Sequence, residues 1–312
     1  MNRKKAVASI LIGIVITVCS LPYGKPKLLA ASSTKTETTV RQNTELLYGV
    51  TLNDIMEGDI NAICSSLKAL CVRPTVRIVL SPDTPAQKYV SRLKRIHRVA
   101  DIMLCPVDSS YMDDYPDAAS YLKRFQECDT WLADDTDIWE VGNEVNGEGW
   151  FDDDPALVSS KIYSAYTYLK EKGYITELTP YGFRPGDQSI TMEEWLEQNI
   201  PSDMKNGLDL VLVSYYDEDN GGKHENWTTM FSNLEKTFPN ARVGFGECGF
   251  STPRKAGKAL YRQMDRYYLK STDLSSRFAG GYFWWYYQQD CVPYRHNKSW
   301  NRLNQDLKKI NK

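Results

Sequence analysis

The sequence predicts an α/β fold, a (β/α)8 TIM barrel that forms a single domain. Eight apolar runs of strand length alternate with eight segments of helical periodicity between Leu46 and Ile310. These runs are continuously apolar rather than alternating, as expected for parallel strands covered on both faces. The fourth and seventh runs lead to Glu144 and Glu247 and then break at glycine. These observations predict a barrel that carries two carboxyl groups at one end.

The predicted strands are rich in β-branched and aromatic residues and are bounded by polar residues, glycine or proline. They span residues 46–52, 75–80, 101–107, 137–141, 175–183, 208–216, 241–246 and 281–287. Between them, apolar residues recur three and four positions apart, which is the spacing of one helix face. The predicted helices span residues 55–70, 86–99, 111–132, 155–171, 192–199, 227–238, 254–269 and 298–310. Residues 46–312 are therefore assigned to one barrel.

The N-terminus is predicted to be an export signal. Residues 1–5 carry positive charge, and residues 6–21 are almost wholly apolar. We expect residues 1–31 to be a signal peptide cleaved after Ser20 or near residues 30–31. An uncleaved anchor is the alternative, because the apolar run approaches membrane-spanning length. Residues 32–45 form a polar linker, and the protein is expected to be secreted or held at the cell surface.

Charge and composition favour a neutral polymer as the partner. The formal net charge is −2 and the pI is about 6.0, so the chain lacks the excess of Lys and Arg that nucleic acids or anionic membranes require. The 8 Trp and 20 Tyr residues supply rings that can stack on sugar faces. We expect a monomer with no nucleic-acid partner, and no stable membrane partner unless the N-terminal segment is uncleaved.

Cysteine and histidine usage predicts neither a metal nor a cofactor. Six cysteines remain after Cys19, and the three histidines are far apart in the chain. Export permits disulfides, and Cys64 with Cys71 could close a small loop, but buried free thiols fit the sequence equally well. A zinc site requires a denser set of nitrogen and sulfur ligands.

Candidate site residues follow the predicted strands. In a barrel of this kind, functional groups lie where strands meet the following loops, and we call this end the rim. Polar and aromatic residues that follow the fourth, sixth, seventh and eighth strands are expected there: Asn143, Glu144, Tyr216, Glu247 and Trp285. Arg77 lies within the apolar second strand and requires a carboxylate partner, because an unpaired buried charge is costly.

Asn143-Glu144 after the fourth strand and Glu247 after the seventh resemble the clan A glycoside hydrolases. This (β/α)8 group includes cellulases, mannanases, galactanases and β-1,3-glucanases, and the resemblance covers essentially the whole mature chain. It implies that Glu144 is the acid/base and that Glu247 is the nucleophile. It also implies that Asn143 binds the sugar 2-hydroxyl beside the scissile bond.

The same resemblance implies that three more side chains bind substrate or the nucleophile. Arg77 would hydrogen-bond the nucleophile, Tyr216, or else Tyr215, would be the strand-six tyrosine, and Trp285 would form the floor beneath the reacting sugar. The family within the clan stays open, since the motifs are similar to those of families 5, 39, 53 and 17. Ser214 departs from family 5, which often has a histidine there.

The paired carboxyl groups predict a glycoside hydrolase that we expect to be retaining, and the strand-four loop and residues 181–191, which could wall an open groove, favour endo action. A separation of about 5 to 5.5 Å leaves no room for water, so a covalent glycosyl-enzyme and net retention follow, whereas a wider separation implies inversion. Arg77 and Tyr216 would keep Glu247 ionised, whereas burial and the nearby anion would raise the pKa of Glu144.

Other interpretations of the carboxylates and of the fold compete with this one. Glu140, four residues before Glu144, is expected to be a structural partner below the rim, and Glu148 a loop residue. A noncatalytic glycan-binding surface protein on the same scaffold is the alternative function, because fold alone does not determine function. A metal-dependent hydrolase is a further alternative.

Overall fold

The computed structural model describes residues 46–53, 55–147, 154–183, 190–222 and 225–311. Its strands are parallel and pair in chain order, and β8 closes on β1, so the predicted barrel is confirmed. The strands are β1 Leu47–Leu52, β2 Thr75–Val79, β3 Asp101–Cys105, β4 Ile138–Gly142, β5 Ile175–Leu178, β6 Leu210–Tyr215, β7 Arg242–Cys248 and β8 Gly280–Trp284. The predicted signal segment and linker, and Glu148, lie outside the described residues.

Helices follow the strands and cover the outside of the barrel. They are α1 Ile60–Lys68, α2 Val90–His97, α3 Ala118–Leu132, α4 Pro155–Glu171, α5 Met192–Asn199, α6 Ser202–Gly207, α7 Trp227–Thr237, α8 Lys258–Met264, α9 Tyr287–Cys291 and α10 Lys298–Ile310. Short 3₁₀ helices span Ala86–Tyr89, Ser109–Asp114 and Ala133–Asp135, and a π-helical turn follows α8 at Asp265–Leu269.

The predicted helix over residues 111–132 is two elements in the structure. Asp117 caps α3 by accepting a hydrogen bond from the Ser120 backbone at 2.7 Å, and the Ser120 hydroxyl donates back towards the cap residue. This local cap begins a new helix, so the preceding Ser109–Asp114 segment forms a separate 3₁₀ helix. That segment becomes part of the rim.

Of the strands that end earlier than predicted, β5 and β8 differ most at the rim end. Residues 179–183 and 285–287 carry strand-favouring side chains, but β5 ends at Leu178 and β8 ends at Trp284. Only the isolated bridge of Tyr181 to Ser214 continues β5, and α9 begins at Tyr287. Strand-favouring residues continue beyond the rim, whereas the hydrogen-bonded pairing of the barrel strands stops there.

The inside of the barrel changes from apolar to charged along its axis. Its lower part is filled by a cluster of apolar residues: Leu47, Met103, Ile138, Leu210, Leu212, Ala279 and Phe283. Towards the rim, the interior instead holds Arg77, Glu140 and Glu177, all fully or almost fully buried. The candidate site residues therefore stand on a charged layer above an apolar floor.

The described residues contain free thiols, and neither a metal-ligand cluster nor a membrane-spanning helix is found among them. All six cysteines in the described part of the chain are free thiols, including Cys64 and Cys71. Within the same residues, no group of three or more His, Cys, Asp or Glu side chains is arranged to hold a metal ion. None of the helices there has both the length and the apolar character that crossing a membrane would require.

Candidate active site

A cavity of about 430 Å³ opens at the rim. It is lined by Asp108, Ser109, Ser110, Asn143, Glu144, Tyr181, Tyr216, Asp219, Glu247, Ser251, Trp285 and Tyr286. Five of the six predicted site residues line it, and the sixth, Arg77, is buried beneath and contacts Glu247. The structure therefore brings all six together. Four of the lining side chains are carboxylates, and none of the described lining residues is Lys or Arg.

A bulge in β7 points Glu247 into the barrel. Leu212, whose side chain faces the interior, lies opposite Gly244, but the next interior residue of β6, Ser214, lies opposite Glu247. Gly246 is the extra residue, and a Cβ there would lie 2.4 Å from the Leu212 carbonyl oxygen. Only glycine permits this close approach, and the bulge re-aims the next side chain towards the cavity.

Three side chains hold the Glu247 carboxylate. The Tyr216 hydroxyl donates to Oε2 at 2.6 Å, and the Asn143 amide donates to Oε1 at 3.1 Å. Arg77 Nη1 lies 2.8 Å from Oε1. The latter contact is an ion pair rather than a directed hydrogen bond, because Nη1 does not meet hydrogen-bond geometry. Both carboxylate oxygens are therefore fixed in the arrangement that favours the ionised form.

Arg77 links Glu247 to a second buried carboxylate. Its Nε and Nη2 donate to Glu140 at 2.6 and 2.9 Å, and Nη2 also contacts Cys105 Sγ at 3.4 Å. Burial would lower the pKa of Arg77, but the charges of Glu140 and Glu247 raise it well above its usual value. The guanidinium therefore stays charged, and Glu140 lies where a structural partner was expected.

Glu144 follows β4 in a strained backbone conformation. Its φ is 45°, in the left-handed region that non-glycine residues seldom adopt, and its carbonyl accepts from the Gly147 backbone at 2.9 Å. The Ser214 hydroxyl donates to Oε1 at 2.5 Å, and the Ser109 hydroxyl donates to Oε2 at 3.4 Å. The side chain is buried, and it is held from β6 and from the 3₁₀ helix that follows β3.

Asn143 is oriented by the loop after β3. The Ser109 backbone donates to Asn143 Oδ1 at 2.9 Å, which fixes the carbonyl side of the amide and leaves the nitrogen facing Glu247. Asn143 is adjacent to Glu144 in the chain and bonded to Glu247 in space. It therefore connects the two glutamates of the candidate pair.

Tyr215, the last residue of β6, and Tyr216, which follows it, face opposite sides of the barrel wall. The Tyr216 hydroxyl contacts Glu247 in the cavity, whereas the Tyr215 ring packs edge-on against Trp227 of α7, with ring centroids 4.7 Å apart. Tyr216 is therefore the one that meets the carboxylate. Trp285 lines the same cavity, and its ring lies 5.7 Å from Arg77 Cζ.

Several cavity residues were not predicted from the sequence. Asp108 and Ser109 follow β3, and applying the rim rule to that strand could have found them. Tyr181 was expected inside strand five, and it lines the cavity from the loop instead. Ser214 continues the interior positions of Leu210 and Leu212 on β6. Its contact with Glu144 depends on tertiary packing, which the sequence pattern does not record.

Burial raises the pKa of Glu247 to about 7. The charges of Arg77 and the hydrogen bond from Tyr216 oppose this increase, whereas the negative charges of Asp108 and Glu140 add to it. A carboxylate nucleophile acts only when ionised, so any activity that depends on Glu247 requires a pH above about 7 and declines as the pH falls through that value.

Replacing Tyr216 with phenylalanine is expected to move the acidic limb of the kcat/KM profile to higher pH. The change removes a hydrogen bond that stabilises the ionised Glu247, so the pKa of that carboxyl rises further. One charge-assisted hydrogen bond corresponds to a shift of about one pH unit. The measurement is kcat/KM on a cleaved oligosaccharide between pH 4 and 9, a range of about five units.

Tyr215→Phe is the matched control, because the Tyr215 ring packs on Trp227 outside the barrel. Its acidic limb is expected to coincide with that of the wild type. An unchanged limb in Tyr216→Phe would show that Tyr216 does not stabilise the ionised carboxylate.

Solved structures with this barrel include Gas2p of Saccharomyces cerevisiae. Its complex with laminaritriose and laminaritetraose matches with a TM-score of 0.54 and 16% identity, over 85% of this chain and 64% of that chain. Its complex with laminaripentaose gives a TM-score of 0.53 and 16% identity, over 86% of this chain and 66% of that chain. A third complex, with a compound, gives a TM-score of 0.56, over 86% of this chain and 65% of that chain.

This chain therefore spans less than two thirds of the yeast chains that it matches. Comparison with protein-family models and with curated proteins found no match. Similarity at 16% identity shows the fold alone. The structural matches thus support the (β/α)8 barrel expected from the resemblance to clan A.

Proposed function

We propose that the protein is a retaining enzyme that cleaves β-glycosidic bonds, with Glu144 as acid/base and Glu247 as nucleophile. The observation that carries the proposal is the shared contact of Asn143, which adjoins Glu144 in the chain and donates to Glu247 at 3.1 Å. Two buried carboxyl groups thereby meet at one cavity, and each has different partners.

The different partners suit different roles. Glu247 faces a permanent cation and a tyrosine donor, which favour the anion needed for attack. Glu144 accepts hydrogen bonds from two neutral hydroxyls, those of Ser214 and Ser109. A hydroxyl can either donate to a carboxylate or accept from a protonated carboxyl group. Such partners suit a group that changes protonation state during the reaction.

The reaction proceeds in two displacements. In the first, a Glu247 oxygen attacks the anomeric carbon, the bond from that carbon to the glycosidic oxygen breaks, and Glu144 gives its proton to the departing oxygen. In the second, water attacks the same carbon and gives a proton to Glu144, and Glu247 leaves as a carboxylate. Two inversions give net retention.

The cavity favours a neutral substrate. Asp108 and Asp219 line it together with the two glutamates. The other described lining residues carry neutral hydroxyls, an amide and aromatic rings. A uronic acid would meet like charge without a compensating cation. Trp285, Tyr181 and Tyr286 present rings that can pack against sugar faces.

Among neutral β-glycans, we propose β-1,3-glucan as the first candidate. Gas2p, with which this chain shares its fold, has been crystallised with laminari-oligosaccharides, which are β-1,3-linked glucose oligomers. Such a polymer is external to many cells, and the charged start and apolar residues 6–21 of this chain support export. The open cavity suits cleavage within a chain, and we propose endo action by a monomer without a cofactor.

The test is incubation of wild-type protein with laminarin and with other neutral β-glucans, mannans, galactans and xylans. New reducing ends are expected from laminarin, and proton NMR should show the β-anomer as the first product, because retention conserves configuration. An α-anomer formed first would overturn the double displacement. Binding of a glycan without cleavage would instead favour the noncatalytic glycan-binding barrel.

A further inference from the structure

A second cavity of about 310 Å³ lies at the same end of the barrel, above β1 and β2. Its lining residues follow these two strands and the neighbouring loops: Asn53, Ile55, Met56, Glu57, Val79, Leu80, Ser81, Thr84, Tyr89 and Tyr111. Its volume lies at the lower end of the range for small-ligand sites. None of these residues lines the candidate active site.

Two structural connections place this cavity beside the active site. The Ser109–Asp114 helix contributes Ser109 and Ser110 to the first cavity and Tyr111 to the second. On the other side, the Gln289 amide of α9 donates to Asn53 at 2.9 Å, and α9 directly follows the cavity residues Trp285 and Tyr286. The two cavities are therefore neighbours on the rim.

The chemistry of the second cavity suits a sugar. The cavity is lined by the buried aliphatic side chains of Ile55, Val79 and Leu80, by the partly exposed side chain of Met56, and by polar side chains. Sugars present apolar C–H faces and peripheral hydroxyls, and binding sites for such ligands combine apolar area with a few polar groups. Glu57 is the one charged residue among the described lining residues, which again favours a neutral ligand.

Tyr111 is an exposed aromatic side chain at this site. Its exposed fraction is 41%, and only Trp131 and Ile175 are comparably exposed among the large hydrophobic residues of the described chain. Those two lie at the opposite end of the barrel, since Trp131 is near the end of α3 and Ile175 begins β5. Among the described residues, Tyr111 is thus the exposed large hydrophobic side chain on the rim, and its ring is accessible for stacking.

We propose that the second cavity binds additional sugar units of the neutral β-glycan that is cleaved at Glu144 and Glu247, and that the Tyr111 ring packs against one of these units. The inference rests on the proposed function and deepens it, because it makes the cleft a chain of subsites rather than a single pocket. A long oligosaccharide would then bind more tightly than a short one.

The test measures binding by calorimetry in a Glu144→Gln background, which blocks cleavage, with laminari-oligosaccharides from two to six units, a series of about five ligands. Affinity is expected to rise with length. Tyr111→Ala should weaken binding of the longest oligosaccharides about tenfold, which corresponds to loss of one aromatic contact. Tyr111→Phe should keep the affinity, because it keeps the ring.

Trp131→Ala is the matched control, since it removes an aromatic ring of similar exposure at the far end of the barrel. It should leave every affinity unchanged. Equal losses at all lengths, or no loss at any length, in Tyr111→Ala would overturn the inference while leaving the proposed function intact. Failure of the Glu144→Gln protein to bind any laminari-oligosaccharide would overturn the β-1,3-glucan assignment and this inference together.

Discussion

Replacing Glu247 with alanine is expected to lower kcat for the cleaved glycan by about 10⁵-fold, because it removes the group that forms the covalent intermediate. Glu144→Ala should cost about 10²- to 10⁴-fold, the usual contribution of a general acid or base. The loss in Glu144→Ala should be smaller still on a substrate with a dinitrophenyl leaving group, which departs without protonation. Turnover of polymer and of this activated substrate is the measurement.

Azide distinguishes the two roles. In Glu247→Ala, azide can occupy the space of the lost carboxylate and attack once, which gives an α-glycosyl azide. In Glu144→Ala, the covalent intermediate still forms, and azide attacks it in place of the unactivated water, which gives a β-glycosyl azide. The same anomer from both variants would contradict the assignment of roles.

Glu197→Ala is a control for the charge removed. The Glu197 side chain is 66% exposed on α5, so its loss should change neither turnover nor the midpoint of thermal unfolding. Glu247→Gln, which keeps the side-chain volume, should lose activity with a folded structure. A Glu247→Gln variant that remained active would eliminate the nucleophile assignment without any appeal to misfolding.

The order of the elements could be predicted because the strands are continuous apolar runs, whereas the helices have apolar residues three and four positions apart. Barrel closure then follows from strict alternation, and the positions of Glu144 and Glu247 after the fourth and seventh strands follow from counting. The direction in which the Glu247 side chain points could not be predicted. Regular alternation from Gly244 would turn residue 246 inward, and only the bulge, which needs Gly246 against the Leu212 carbonyl, turns Glu247 inward instead.

Contacts between distant strands were predictable in kind but not in partner. Arg77 required a carboxylate, and the structure gives it two, Glu140 and Glu247. The hydroxyl of Ser214 was noted only as a departure from a family pattern, yet it donates to Glu144 at 2.5 Å. Periodicity specifies which side of a strand a residue faces, whereas the barrel's stagger decides which residue it meets.

Arg77→Met is expected to lower the free energy of unfolding by about 3 to 5 kcal/mol, the cost of removing one partner from a buried ion pair. The change leaves Glu140 and Glu247 buried without their cation. Glu177, also buried, is beside Glu140 in the strand register, and burial together with the charge of Glu140 already raises its pKa well above its usual value. Arg77 is the one cation among these four residues, so the loss of stability on its removal should be large.

Urea denaturation at pH 8, about one unit above the wild-type Glu247 pKa of about 7, compares the variant with a wild type in which that carboxyl is ionised. The double variant Arg77→Met/Glu140→Gln should recover part of the lost stability, because it removes one of the two stranded charges. Arg73→Met is the control: Arg73, just before β2, pairs with Asp101, with both side chains 47% exposed, and donates to two backbone carbonyls, at the end of α2 and just before β3. Its loss should cost about 1 to 2 kcal/mol, less than that of Arg77. A double variant no more stable than Arg77→Met would show that stranded charge is not the source of the loss. The remaining cost would then come from packing of the arginine side chain.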